Sequence, residues 1–194
     1  EVHTMTISVI MSVYRNERPE YLDESIRSIW TDQTVKPAEI ILIKDGPLTD
    51  ALERTISTWK ERIGDRLITH SNGTNLGLTK SLNIALRLAS SDLIARMDSD
   101  DLSDPRRFER QTAFLEANPD VAIVGGAMQE FNSSNPKLNV RHYPRNNDEV
   151  MRTIYKASPL AHPTVMMRSA IFRNGLKYDE RYRTSQDIAL WFDA

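Results

Sequence analysis

The amino-acid sequence predicts an α/β domain: a mostly parallel sheet with helices packed on both faces. Three observations carry that expectation. Short apolar, β-branched runs alternate with amphipathic helical stretches four times before about Glu116, and each parallel step needs a crossover that a helix supplies. The chain is 194 residues long, which fits one domain. It is 40% apolar and 27% charged, enough for a packed core and too apolar for disorder.

The first strand is Ile7-Ser-Val-Ile-Met-Ser-Val13, bounded by the polar Tyr14-Arg-Asn-Glu-Arg-Pro19. Behind that proline, Leu22, Ile26, Ile29 and Trp30 recur at helical spacing. Ile40 to Ile43 is a second buried strand, ended by Lys44-Asp-Gly-Pro47. Asp50 with Glu53 reads as a capping box for a helix that buries Leu52, Ile56, Trp59 and Ile63 and closes at Gly64. Leu67 to Thr69 is a short third strand. Turn chemistry over Asn72-Gly-Thr-Asn-Leu-Gly77 leads into a helix striped by Leu78, Leu82, Ala85, Leu86 and Ala89.

Leu93 to Met97 is the fourth strand and runs straight into Asp98-Ser-Asp-Asp101. Asp104 as N-cap with Pro105 at the first helical position starts a helix through about Glu116, and Val121 to Val124 is a fifth strand. After Gly125-Gly126 the pattern loosens, with a polar stretch from Phe131 to Arg145. A short helix near Asp148 to Tyr155 follows, then a strand at Thr164 to Met167, a helix from Ser169 to Asn174 and a last helix from about Asp187. The apolar face of Leu190, Trp191 and Phe192 stops at Ala194 without a cap, as expected of a domain cut short at its C-terminus.

Composition removes several function classes. Lys plus Arg is 25 against 27 for Asp plus Glu, a net charge of −2 with no basic run, so nucleic acid is not an expected partner. There is no cysteine, which excludes disulfides, thiol nucleophiles and Cys-ligated metals and fits a reducing, cytoplasmic setting. Glu1 to Thr6 offers no basic n-region of a secretory signal. The longest apolar-rich stretch, Ile7 to Val13, falls far short of the roughly 20 residues of a membrane helix. Membrane association would be peripheral or lie beyond residue 194.

Ligands of an open parallel sheet bind beyond the carboxyl ends of its strands. Those loops carry Tyr14 and Asn16, then Asp45-Gly46, then Asp98, Asp100 and Asp101. None contains a Gly-x-Gly-x-x-Gly or a P-loop, which disfavours dinucleotide and P-loop enzymes. If the strand persists through Asp98-Ser-Asp-Asp101, Asp98 and Asp100 share one side, where repulsion raises their pKa values unless a cation is shared. Hard oxygen ligands favour Mg²⁺ or Mn²⁺ over zinc. The run also fits a solvated turn before a helix, although three Asp in four residues is more charge than capping needs.

Six segments in order resemble the glycosyltransferases of family 2, which have the GT-A fold. They are Ile7 to Asn16, Ile40 to Gly46, Asn75-Leu-Gly-Leu-Thr-Lys-Ser-Leu-Asn83, Ala95-Arg-Met-Asp-Ser-Asp-Asp101, His162-Pro-Thr-Val-Met-Met-Arg168 and Gln186-Asp-Ile-Ala-Leu-Trp191. The resemblance implies a single GT-A domain over 1–194, with a nucleotide-sugar half at about 1–104 and an acceptor half at about 105–194. It implies that Tyr14 stacks on the base of a nucleotide-sugar donor, UDP-linked, and that Asp45 bonds to base or ribose. Asn75, Lys80 and Asn83 would lie at the diphosphate, Asp98 near the ribose and metal waters, and Asp100 on the metal, with His162 as a further ligand.

Asp187 is implied as the general base of an inverting transfer to a hydroxyl of a saccharide or lipid-linked saccharide acceptor. The context implied is bacterial surface polysaccharide, such as O-antigen or capsule, made at the inner face of the cytoplasmic membrane. Two positions depart from the family pattern: Gln186 stands where an acid is common, and Lys44 precedes Asp45. Each residue also has a plain structural role open to it. Tyr14 could pack at a strand end, Asn75 and Asn83 could cap or turn, Lys80 could be a solvated charge, His162 could be buried beside its proline, and Asp187 could cap its helix.

Three rivals read differently. A sugar-phosphate nucleotidyltransferase needs a Gly-rich loop after the first strand, and Tyr14 to Glu20 has no Gly. An aspartyl-nucleophile phosphatase would carry its paired Asp after the first strand rather than the fourth. A domain that binds nucleotide-sugar without turnover would keep the acidic cluster and lack the base.

Overall fold

Ile7, Val9, Met11 and Val13 alternate with Ile10 on opposite faces of one strand, and every one of them is buried. That is the pattern of a central strand covered on both sides. In the computed structural model, which describes residues 4–131, 134 and 139–194, this strand is β1 (Ile7–Val13). It pairs in parallel with β2 (Glu39–Lys44) and with β4 (Leu93–Arg96), while β3 (Leu67–Ser71) adds in parallel outside β2. The full order is β3-β2-β1-β4-β8-β5, with β8 (Met166–Arg168) antiparallel to both β4 and β5 (Ile123–Val124).

Two apolar clusters sandwich the sheet. On one face, α1 (Pro19–Ile29), α2 (Asp50–Ile63) and α4 (Arg107–Ala117) bury Leu22, Ile26, Trp59, Phe108 and Leu115 against Val9, Met11, Leu42 and Ala95. On the other, α3 (Leu78–Leu88) and α7 (Gln186–Asp193) bury Leu82, Leu190 and Trp191 against Ile10, Ile41 and Ile94, with Tyr178 fully enclosed. Each such side chain contributes about 1.5–3 kcal/mol when fully buried. Two short helices, α5 (Asn147–Thr153) and α6 (Ser169–Arg173), complete the second half, and β6 (Met128–Gln129) pairs with β7 (Val140–Arg141) as a separate ribbon. No helix among the described residues is long and apolar enough to cross a membrane.

Several local expectations are corrected. The N-cap of α2 is Thr49, whose Oγ1 accepts from Leu52 N at 3.3 Å; Asp50 is already helical, and the Glu53 carboxylate goes to Lys44 instead. Helix α4 begins two residues later than expected: the Asp104 carboxylate accepts from Arg106 N at 2.8 Å in a turn, and Arg106 takes the cap position. The fifth strand is only Ile123–Val124 and does not touch β4, because β8 is inserted between them. Part of the polar stretch expected at 131–145, including Asn132, Asn135 and Pro136, lies outside the described residues, as do the first three residues of the Glu1 to Thr6 segment.

The strand order has one functional consequence. From β1 the chain builds outward through β2 to β3, then returns to lay β4 on the other flank of β1. The switch point therefore falls between β1 and β4, and the loops leaving their carboxyl ends face one crevice. Those are the loops carrying Tyr14 and Asp98.

Candidate active site

β4 ends at Arg96, and Ser99 and Asp100 form a turn, so strand alternation does not bring the acids together. The turn does. Carboxylate oxygens of Asp98, Asp100 and Asp101 all lie within 4.8 Å of one another. Asp101, which alternation would send to the other side, belongs to the group. Burial raises the Asp101 pKa to about 6, with Asp98 and Asp100 adding to the effect. Asp100 is raised by burial first, then by Asp98 and Glu17.

Helix α1 and the loop after it are the platform for this turn. Ser25 Oγ donates to Asp98 O at 2.8 Å, Ser28 Oγ accepts from Ser103 N at 3.0 Å, and Gln33 Nε2 donates to Asp104 O at 2.7 Å. From the loop after β1, Glu17 Oε2 accepts from Ser99 Oγ at 2.7 Å and becomes a fourth carboxylate at the centre. Two buried arginines oppose these charges. Arg96 pairs with Asp98 Oδ2, and Arg107 donates to Arg96 O and Val165 O while its own pKa falls to about 9 through burial and the nearby Arg96. Four acidic side chains thus face two guanidinium groups, and oxygen donors in acidic excess suit a hard divalent cation such as Mg²⁺ or Mn²⁺.

The other expected residues are placed unevenly. Tyr14 stands half exposed at the end of β1. Asp45 is buried, and its carboxylate accepts from Asn72 Nδ2 at 2.9 Å, Leu76 N at 2.7 Å and Gly77 N at 2.9 Å. It pins the loop 72–77 rather than standing free for a base or ribose. Gly46 lets that loop approach: its φ is +88°, and a Cβ there would sit 2.8 Å from Asn75 N. Asn75 Nδ2 reaches only Asp45 O, at 3.4 Å.

Asn83 is not available to a diphosphate. Its Nδ2 donates to Tyr178 O at 2.9 Å and Glu180 Oε1 at 3.1 Å, and its Oδ1 accepts from Tyr178 N at 3.0 Å. Lys80 lines a surface cleft of about 1010 Å³ with Lys177, Asp179 and Glu180, and the acidic turn takes no part in that cleft. His162 is buried, with Nε2 2.7 Å from the Tyr178 hydroxyl, and stands apart from the acidic trio. Burial, then Arg96, holds its pKa well below the usual value, so it is neutral.

Asp187 opens α7, where Ser158 Oγ donates to its Oδ2 at 3.4 Å. Burial raises the Tyr178 pKa; Arg96 opposes this, while Asp187 and Asp98 reinforce it. Glu17, Arg96, Arg107 and Tyr178 were not singled out by sequence, and of these Arg96 alone left a signal: a charge inside the apolar run Leu93-Ile-Ala-Arg-Met97.

Comparison with known proteins bears on the family and the fold. The sequence model of the family described as Glycosyl transferase family 2 matches residues 8–176. The chain is 33% identical over 190 residues to UDP-Gal:alpha-D-GlcNAc-diphosphoundecaprenol beta-1,3-galactosyltransferase of Escherichia coli, covering 97% of this chain and 67% of that protein. The fold matches S. aureus TarS 1–349 in complex with UDP at a TM-score of 0.75 and 22% identity, covering 96% of this chain and 54% of TarS. It also matches the mannosyltransferase PcManGT of Pyrobaculum calidifontis in complex with GDP-Man and Mn²⁺, at a TM-score of 0.70 and 16% identity, covering 97% of this chain and 51% of that one. The chain thus spans about two thirds of the curated relative and about half of the solved structures. The sheet is that of the GT-A glycosyltransferases, as the motif order implied. With the family matched across most of its length and the acidic turn at the switch point, the chain belongs to glycosyltransferase family 2.

Proposed function

We propose that this chain carries the donor site and catalytic centre of an inverting, divalent-cation-dependent transferase. It moves a sugar from a UDP-linked donor to a hydroxyl of a lipid-linked saccharide during surface-polysaccharide synthesis. The observation that carries the reading is the convergence of Asp98, Asp100 and Asp101 at the switch point, with two buried arginines behind them. The UDP donor and the lipid-linked acceptor are suggested by the galactosyltransferase relative, and Mn²⁺ by the mannosyltransferase complex. Such a lipid-linked acceptor suggests work at the inner face of the cytoplasmic membrane.

Asp98, Asp100 and Asp101 would hold the cation, which when bound supplies positive charge to a departing nucleoside diphosphate. Tyr14, exposed where β1 ends, would stack on the base, and the loop 72–77, locked by Asp45, would lie at the diphosphate. The first half, about 1–104, serves the donor, and residues from about 105 onward serve the acceptor.

Asp187 takes the proton of the acceptor hydroxyl as that oxygen bonds to the anomeric carbon. The bond from that carbon to the diphosphate breaks on the opposite side, and its electron pair leaves with UDP, so the configuration inverts. Replacing Asp187 with Ala should leave Mn²⁺-dependent UDP binding within about twofold by calorimetry while lowering transfer by at least about 10²-fold. Transfer that survives the replacement removes Asp187 as the base.

A further inference from the structure

Arg96 is a charge where the sheet is otherwise apolar. It ends β4, faces Ile10 of β1 across the ladder, shares the Ile94 face of the sheet, and is 2% exposed. Its backbone N donates to Val165 O at 3.0 Å, so it is held on both flanks. A buried guanidinium normally satisfies its five donors. Here Nη1 meets Asp98 Oδ2 as an ion pair without the alignment of a hydrogen bond, and Nε has no hydrogen-bond partner among the described residues. Burying a charge so sparsely bonded is costly, and a hydrophobic residue of similar volume would serve packing better.

Its placement gives it a use. Asp98 Oδ2 is anchored by Arg96, and a carboxylate oxygen of the same residue lies within 4.8 Å of oxygens of Asp100 and Asp101. The Asp98 carbonyl is fixed from the other side by Ser25 Oγ. We propose that Arg96 is a positioning residue that holds the Asp98 carboxylate turned toward the cation before the cation arrives. The inference rests on the cation reading of the acidic turn given above. It goes beyond it by assigning a residue that touches neither cation nor sugar.

Electrostatics alone gives the opposite sign, which makes the role separable from simple charge. A guanidinium beside the carboxylates repels a divalent cation, so deleting a mere counter-charge tightens cation binding. Deleting a positioning residue frees the Asp98 side chain, whose ordering then has to be supplied on binding, and loosens it. Lysine keeps the charge and loses the planar, two-armed reach of the guanidinium.

The test is a titration of the nucleotide-free chain with Mn²⁺, followed by electron paramagnetic resonance, for the native protein, Arg96→Met and Arg96→Lys. Circular dichroism and thermal midpoints report whether each variant is folded. Arg96→Met should bind Mn²⁺ about 10- to 100-fold more weakly, and Arg96→Lys should lie between it and the native chain. A folded Arg96→Met that binds Mn²⁺ as tightly as the native chain, or more tightly, overturns the proposal. If Arg96→Met does not fold, Arg96→Lys decides: unchanged affinity overturns the positioning role and leaves the cation site standing. A native chain that binds no Mn²⁺ overturns both.

Discussion

Burial beside Asp98 and Asp100 raises Asp101 from 3.8 to about 6, and this has a sign in the stability of the cation-free chain. Between about pH 4 and pH 6 the folded chain keeps a proton on Asp101 that the unfolded chain has lost. Stability therefore falls as pH rises through that window and levels off above it. Replacing Asp101 with Asn should stabilise the cation-free chain at pH 7 by on the order of 2 kcal/mol and flatten that slope. Urea unfolding at pH 4.5 and pH 7 reads both. Asp100, shifted the same way, keeps a residual slope in the variant, and a slope equal to that of the native chain contradicts the assignment.

The same residues show what a sequence can disclose at this scale. Asp98 and Asp100 were legible because three acids follow a strand end. Asp101 was legible as a member of that run but not as a neighbour of the other two, since a period of two sends it to the opposite side and only a turn returns it. Asn83 and His162 were legible as motif members, yet their partner Tyr178 lies 95 and 16 residues away, on the segment before α7. No local pattern announces such a partner. Asp45 was found for its place after β2, while its three hydrogen bonds into the loop 72–77 depend on how two loops meet.

At the scale of elements, the helices and central strands follow from spacing, because their buried faces are written into residues i, i+3 and i+4 or into alternation. Their ends follow less well. Thr49 and Asp50 are both good cap residues, and the choice rests on which one keeps extended backbone; Thr49 does, at φ −74° and ψ 154°. Replacing Thr49 with Ala should cost about 1 kcal/mol in chemical denaturation, while Asp50→Ala should cost less than half of that. Equal losses would return the cap to Asp50. The strand β8 illustrates the other limit. Three residues, Met166–Arg168, carry no period of their own, and their insertion between β4 and β5 is decided by long-range pairing.

At the scale of the whole molecule, the order β3-β2-β1-β4 explains why function collects where it does. The reversal on either side of β1 opens the crevice, and the acidic turn, Glu17 and Tyr14 all leave strands that border it. The class of fold was legible from alternating elements, and the family from motif order. The second half was less so, because its elements are short and its packing depends on Tyr178, His162 and Trp191, whose rings meet only in three dimensions. The central claim is that this crevice holds a diphosphate through a cation on the three aspartates. Crystals grown with UDP and Mn²⁺ and measured at the manganese absorption edge address it directly. An anomalous peak about 2.1 Å from carboxylate oxygens of Asp98, Asp100 or Asp101, bridging to the diphosphate, is the expected result. UDP bound with no manganese at those oxygens, or manganese bound elsewhere in the molecule, contradicts it.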